Sequence, residues 1–253
     1  MKTITPLGES PFNYHDYTIW RFIHYWQQIT EIMRLRPKSV LEIGPGDHTV
    51  SDFLIRKGLD VVTADNDPAV KPDNVIDLLD MNFVDKFDRS FDLCLASEVL
   101  EHLSFKHFLR VLVQLGNLAR FILISVPYTT IRLFPERSDY GKVISCEGRL
   151  MTRIPYYCLN IPLDISRFFK TLLFSGSVSD ARSQLRFGLT DYPDSFQGHH
   201  WDCGFWRFRP AVIRRLLADD FIVHREKVYV NTNCIFWVLS LRQGNKCTAS
   251  GSC

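Results

Sequence analysis

The sequence has no Cys-x-x-Cys pair, although it holds seven cysteines, at positions 94, 146, 158, 203, 234, 247 and 253. A scattered, odd set excludes a disulfide framework and argues for reduced thiols. Cys94 and Cys234 fall in apolar runs and read as small core residues. An excess of charge of either sign is also missing: 30 Lys and Arg against 28 Asp and Glu leave a net of +2. No global basic field exists to hold a phosphate backbone, which argues against nucleic acid as the partner. Residues 1–14 contain no apolar h-region, so a secretory leader is not expected. The longest apolar runs, such as 121–126 and 234–241, have strand length, so no transmembrane segment is expected either. These absences point to a soluble, cytoplasmic protein. The 253 residues fit one large α/β domain, or one domain carrying an insertion.

What is present is organised around Ser39-Val-Leu-Glu-Ile-Gly-Pro-Gly-Asp-His-Thr-Val-Ser51. A short apolar run breaks at Gly44-Pro45-Gly46-Asp47 and resumes with helical spacing. Strand, glycine turn and helix open a nucleotide-binding βαβ unit. Upstream, Asp16 is positioned to cap a helix running to about Leu35. Its residues Ile19, Phe22, Ile23, Trp26, Ile29 and Met33 recur at helical spacing, which predicts that this face packs on the sheet. Tyr14, Trp20, Arg21 or Tyr25 of this segment is placed to close one side of a ligand pocket.

Downstream, apolar runs at 60–65, 74–77, 91–96 and 120–126 read as strands, with helices over 49–57, 98–103 and 105–118. A helix at about 210–218 and strands at about 221–230 and 233–242 follow. The last two strands are joined by Asn231-Thr232-Asn233, a turn so short that they must be antiparallel. The expected fold is therefore a doubly wound, mostly parallel α/β sheet with one antiparallel strand near its end. Residues 1–36 form an arm and helix, and 37–127 with 206–242 form the core. Residues 128–205 lack a sustained period but are rich in aromatics, which predicts a substrate cap inserted after the fifth strand. Residues 243–253 are small and polar, as in a disordered tail.

In an open α/β sheet a ligand sits at the carboxyl ends of the strands. Those ends carry Gly44 to Asp47, Asp65-Asn66-Asp67, Asp77, Ser97-Glu98 and Pro127-Tyr128. Asp65 lies about 20 residues beyond the turn, where a carboxylate can accept from two ribose hydroxyls. Asp77 can accept from an adenine amino group. A dinucleotide fold would want a third glycine at position 49, where this chain has Thr49. Glu42 suits a cationic amino group better than a pyrophosphate.

These motifs resemble the class I S-adenosylmethionine-dependent methyltransferases, of the broad type 11 group. The resemblance covers about residues 39–127, through Val-Leu-Glu-Ile-Gly-Pro-Gly, Val-Val-Thr-Ala-Asp and Ser-Phe-Asp-Leu-Cys-Leu-Ala-Ser-Glu-Val-Leu-Glu-His-Leu. It implies a seven-stranded sheet of order 3-2-1-4-5-7-6 and S-adenosyl-L-methionine as cofactor. It implies that Glu42, Gly44 and Gly46 hold the methionine end and that Asp65, with Asn66 beside it, holds the ribose. Asp77 and Leu78 would meet the adenine, and Ser97 and Glu98 would floor the pocket. His48 departs from the pattern, which commonly has a third glycine there. The expected reaction is methyl transfer to an oxygen, with nitrogen second, of a small-molecule or carbohydrate acceptor.

Two further stretches carry alternatives. Glu98-Val-Leu-Glu101-His102 would place two carboxylates and an imidazole near one helix face, enough to bind a divalent metal. It resembles the metal-binding Glu-x-x-Glu-His of small-RNA and some quinone-ring O-methyltransferases, yet the same residues pack without metal in other relatives; the favoured assignment has no metal ligand. Gly198-His-His-Trp-Asp-Cys-Gly204 resembles a His-x-Trp-Glu-like segment of some of these methyltransferases, with Asp202 for Glu. His199 and His200, with Tyr128, are candidates for taking a proton from the acceptor, the acid orienting a ring; the segment reads equally as a structural clasp. A protein that kept the fold and lost transfer is the remaining alternative, against which the intact acids and glycines speak.

Overall fold

Val40 and Leu41 are both fully buried although their side chains point to opposite faces, the signature of a central parallel strand covered on both sides. That strand, β1 (Ser39–Ile43), lies between β2 (Asp60–Asp65) and β4 (Phe91–Ser97), parallel to both. The computed structural model describes residues 18–128, 130–132, 153–155, 199–204, 208–229 and 232–242. The expected arm, the tail and most of the expected cap lie outside the described residues. β3 (Asn74–Val75) flanks β2, and β5 (Ala119–Pro127) continues the parallel sheet beyond β4. A short antiparallel pair, β6 (Thr130–Arg132) and β7 (Arg153–Pro155), stands apart. β8 (Phe221–Tyr229) and β9 (Cys234–Leu241) complete the main sheet, β9 antiparallel to both β5 and β8. The order β3-β2-β1-β4-β5-β9-β8 is the expected one, with the single reversed strand second from the end.

One face of the sheet packs Leu41, Cys94, Ile122, Ile124 and Trp237 against α3 (Phe108–Leu118) and α4 (Pro210–Asp220). The other packs Val40, Leu93, Leu95, Leu123 and Phe236 against α1 (Ile19–Leu35) and α2 (Thr49–Arg56). Cys94, Cys203 and Cys234 are free and buried. No helix among the described residues is long and apolar enough to cross a membrane.

Helix α1 departs from expectation in two ways. Its described cap is Thr18, whose hydroxyl accepts from the Arg21 amide at 3.4 Å; Asp16 lies outside the described residues. Its buried side is Gln27, Gln28, Ile29, Glu31 and Ile32, whereas Phe22 is 52% exposed and Trp26 65%. The polar side wins because the sheet offers it partners. Gln27 accepts from the Thr232 hydroxyl at 2.7 Å, and Glu31 accepts from Tyr229, Arg34 and Arg225 at 2.5, 2.6 and 2.9 Å. A buried carboxylate is tolerable only with such company. The displaced apolar side lines a groove of about 580 Å³ with Phe53, rimmed by Arg34, Arg36 and Lys57.

The expected helix over 98–103 is also corrected. Glu98 has φ of +54°, which no helix accommodates, and only Leu100–His102 form a single 3₁₀ turn. Glu98 therefore does not share a helix face with Glu101 and His102.

Candidate active site

The glycine turn is shaped by three consecutive demands on the backbone. Gly44 has φ of +71° and its amide donates to the Ala64 carbonyl at 2.9 Å, tying the turn to β2. A Cβ at Gly44 would lie 2.5 Å from Val99 Cγ2, so the position has no room for a side chain. Gly46 has φ of +57° and His48 of +61°. His48 adopts the left-handed conformation at a cost that its ring offsets: Nε2–H donates to the Val70 carbonyl at 2.7 Å. His48 thus ties the turn to the loop after β2.

Asp47 links the turn to α1. It accepts from the Thr49 amide at 3.0 Å and from the Tyr25 hydroxyl at 2.8 Å, and Arg21 Nε donates to that hydroxyl at 2.5 Å. Burial alone would raise the Asp47 carboxyl; the Thr49 amide, Tyr25 and Arg21 together bring it below the usual range. Arg21 and Tyr25 are therefore the α1 residues that close over the turn. Trp20 is exposed, and Tyr14 lies outside the described residues.

Glu42 sits at the base of this turn, 3% exposed, with no donor for Oε2 among the described residues. Burial pushes its carboxyl up to about 8, with Asp47 adding to the shift and Ser51 opposing it by hydrogen bonding. A buried carboxyl with one unpartnered oxygen beside a tight glycine turn is matched by a ligand that brings a cationic donor. Asp65 accepts the Asp67 amide at 2.9 Å, and exposed Asp77 accepts the Leu79 amide at 2.8 Å. Each carboxylate shapes its own loop with one oxygen and keeps further acceptor capacity. Asn66 is exposed beside Asp65, and Leu78 is buried beside Asp77.

Ser97 and Glu98 end β4 in a polar chain. The Ser97 and Ser125 hydroxyls lie 2.6 Å apart, and Ser125 donates to Glu98 Oε1 at 3.1 Å. His24 of α1 joins them with Nε2 3.4 Å from Ser125 Oγ and its ring edge-on to Phe236. Burial, then the nearby Arg21 charge, lower the His24 imidazole to about 4, so it is neutral at physiological pH. His24 and Ser125 escaped the sequence reading. The signal was the polar side of α1, which points at the strand ends.

Residues 199–204 act as a clasp. The His200 amide donates to the Glu101 carbonyl at 2.7 Å, Trp201 Nε1 to the Leu100 carbonyl at 3.2 Å, and the Cys203 amide to the Pro127 carbonyl at 3.0 Å. Trp201 is fully buried against Phe105, Phe108 and Phe208. The clasp brings His199 to the 3₁₀ turn, its ring 4.8 Å from that of His102 between centroids. Asp202 Oδ1 lies 2.8 Å from His199 Nδ1, so in the neutral ring that nitrogen carries the proton and Nε2 the lone pair. Tyr128 is buried at the end of β5, bridged to Cys203, and its amide donates to the Asn233 carbonyl. Beneath the clasp, both oxygens of fully buried Glu101 lack a donor among the described residues. Burial, with Glu98 and Asp202 nearby, holds that carboxyl well above its ordinary value.

Residues 17–155 match the sequence model of a family described as a methyltransferase domain. No curated protein matches the chain. Among solved structures, the chain is similar to magnesium protoporphyrin IX methyltransferase (ChlM) from Synechocystis PCC 6803 with bound S-adenosylhomocysteine, at 13% identity and a TM-score of 0.47, over 93% of this chain and 90% of that one. It is also similar to the N-methyltransferase NodS from Bradyrhizobium japonicum WM9, at 11% identity and a TM-score of 0.45, over 90% and 91% of the two chains. A third is the Burkholderia thailandensis 1,6-didemethyltoxoflavin-N1-methyltransferase, at 14% identity and a TM-score of 0.47, over 90% and 83%.

Proposed function

The chain belongs to the methyltransferase-domain family and uses S-adenosylmethionine, and from that premise we propose that it methylates an oxygen, with nitrogen second, of a small-molecule or sugar acceptor. The observation that carries the reading is Glu42: a buried carboxylate with an unpartnered oxygen, at the floor of a turn that excludes any Cβ at Gly44. Glu42 would receive the cofactor's ammonium group, Gly44 and Gly46 would let the backbone approach it, and Asp65 and Asp77 would accept from its ribose and adenine. The bound cofactor supplies a methyl group already activated on a sulfonium. The chain's own residues then have three tasks: to orient the acceptor, to exclude water, and to deal with one proton.

The first two tasks would fall to the α1 residues Arg21, Tyr25 and His24 and to the proposed cap over 128–205. The third converges on the clasp. There His199 Nδ1 lies 2.8 Å from Asp202 Oδ1, His200 follows it in the chain, and Tyr128 is bridged to Cys203 of the same segment. The proton that the acceptor oxygen would shed on methylation, as the methyl–sulfur bond breaks and the neutral thioether leaves, would pass toward this group.

Methyl-labelled S-adenosylmethionine incubated with the purified chain and a panel of hydroxyl, amine and sugar acceptors tests the reading. Transfer to a hydroxyl compound is expected. Transfer only to amines would move the assignment to nitrogen, and failure to bind S-adenosylmethionine at all would overturn it.

A further inference from the structure

We propose that the outward side of α1, with α2 beside it, docks this protein on an anionic lipid surface. The helix is turned the wrong way round for one that meets only water. Its polar Gln27, Gln28 and Glu31 are buried, while Ile19, Phe22, Trp26 and Met33 are exposed. These four stand at i, i+3, i+7 and i+14, so they form one stripe, about 21 Å long at 1.5 Å per residue. Large apolar side chains gathered on one exposed face mark a surface that something else covers.

Charge says what covers it. Between Thr18 and Val40 the sequence holds a single acid, Glu31, and it is buried. Glu31 is shared between Arg34 and Arg225, so the face keeps a net positive charge. Arg34, Arg36 and Lys57 rim the groove of about 580 Å³ beside Trp26, whose apolar lining includes Ile29 and Phe53. Lys57 Nζ lies 5.5 Å from the centre of the Phe53 ring, which carries its charge at the edge of the apolar patch.

A neutral apolar partner would leave these cations without counter-charge, and a small acidic ligand would leave the stripe uncovered. A bilayer with anionic headgroups answers both. Its phosphates meet the cations, and Phe22, Trp26 and Met33 enter the acyl boundary beneath them. The indole of Trp26 suits that boundary, with an apolar body and one polar N–H.

The same helix reaches the glycine turn, where Tyr25 donates to Asp47 at 2.8 Å. Docking through α1 would therefore hold the strand-end crevice near the lipid boundary. The inference itself does not depend on the methyl-transfer reading, since lipid binding and cofactor binding are measured separately.

The test sediments the full chain with vesicles of phosphatidylcholine alone, and of phosphatidylcholine with about one-third phosphatidylglycerol. Binding to the anionic vesicles is expected to be at least about tenfold stronger, and to fall as salt rises from about 0.05 to 0.5 M. Arg36→Gln with Lys57→Gln should weaken it about thirtyfold, near fivefold for each charge. Trp26→Ser with Met33→Ser should weaken it at least about tenfold. All four positions are exposed, so both pairs should keep the wild-type unfolding temperature. No binding to anionic vesicles, equal binding to both kinds, or wild-type binding by either pair would overturn the proposal. A dimer in sedimentation velocity that W26S with M33S splits would assign the face to a second copy of this chain and overturn the lipid assignment. S-adenosylhomocysteine affinity of the same proteins reports on the cofactor reading alone, because the Glu42 turn shares no residue with the stripe.

Discussion

Replacing Gly44 by alanine should damage both the fold and the cofactor turn, by an amount the geometry sets. The new Cβ would stand 2.5 Å from Val99 Cγ2, against the ~3.5–4.0 Å of an ordinary carbon contact. Val99 or the turn must move by about an ångström, at a cost of roughly 1–3 kcal/mol for overpacking. The φ of +71° adds about 1–2 kcal/mol for an L-residue. The stiffer unfolded chain returns ~0.4–1 kcal/mol. The net loss is about 2–4 kcal/mol, enough to move a urea midpoint by roughly 1–2 M at an m-value of about 2 kcal/mol/M. Val99→Ala removes the offending methyl, so in a double-mutant cycle it should return about 1–3 kcal/mol to the G44A background while destabilising the wild type. Additive losses across the cycle would refute the steric account, and wild-type stability in G44A would refute the turn geometry altogether.

Three other consequences follow from single residues. Trp201→Ala should cost about 3–5 kcal/mol, read by thermal or urea unfolding, because it empties a fully buried aromatic cluster and removes one of the two donors to the Leu100 carbonyl, leaving the Leu103 amide. Glu31→Ala should cost roughly 1–3 kcal/mol in the same assay, since Tyr229 loses a buried acceptor while Arg34 and Arg225 remain partly solvated. Glu42 titrates near 8 in the fold against an ordinary 4.5, so its contribution to stability is full below about 4.5 and falls away as pH rises through about 8. Denaturation curves across that window should show this decline in the wild type and not in E42Q.

The strands and their acidic ends were legible in the sequence because each depends on local pattern. Val40 to Ile43 alternate between two covered faces, and the glycine turn follows from residues within it. The orientation of α1 was not legible. Trp26 and Met33 mark the face a helix should bury, but Gln27 and Glu31 find partners in Thr232, Tyr229 and Arg225, about two hundred residues later. Only the folded sheet brings those together. The same holds for the cluster under the clasp. Glu98-x-x-Glu101-His102 reads as one helix face, yet the left-handed Glu98 splits it and His199 replaces Glu98 as third member. His48 was opaque for a subtler reason: its ring compensates for a backbone conformation that glycine would adopt unaided.

The most direct measurement of the central claim is a calorimetric titration of S-adenosylmethionine into the wild-type chain and into E42Q, from about pH 5.5 to 7, where the ligand's α-amino group stays protonated. The account predicts a single site in the wild type. Because free Glu42 holds its proton up to about pH 8 and the bound ammonium favours the carboxylate, affinity should rise across this range with release of a proton. E42Q should bind at least tenfold more weakly, with no such rise. No binding to the wild type, or equal binding to both proteins at every pH, would contradict it.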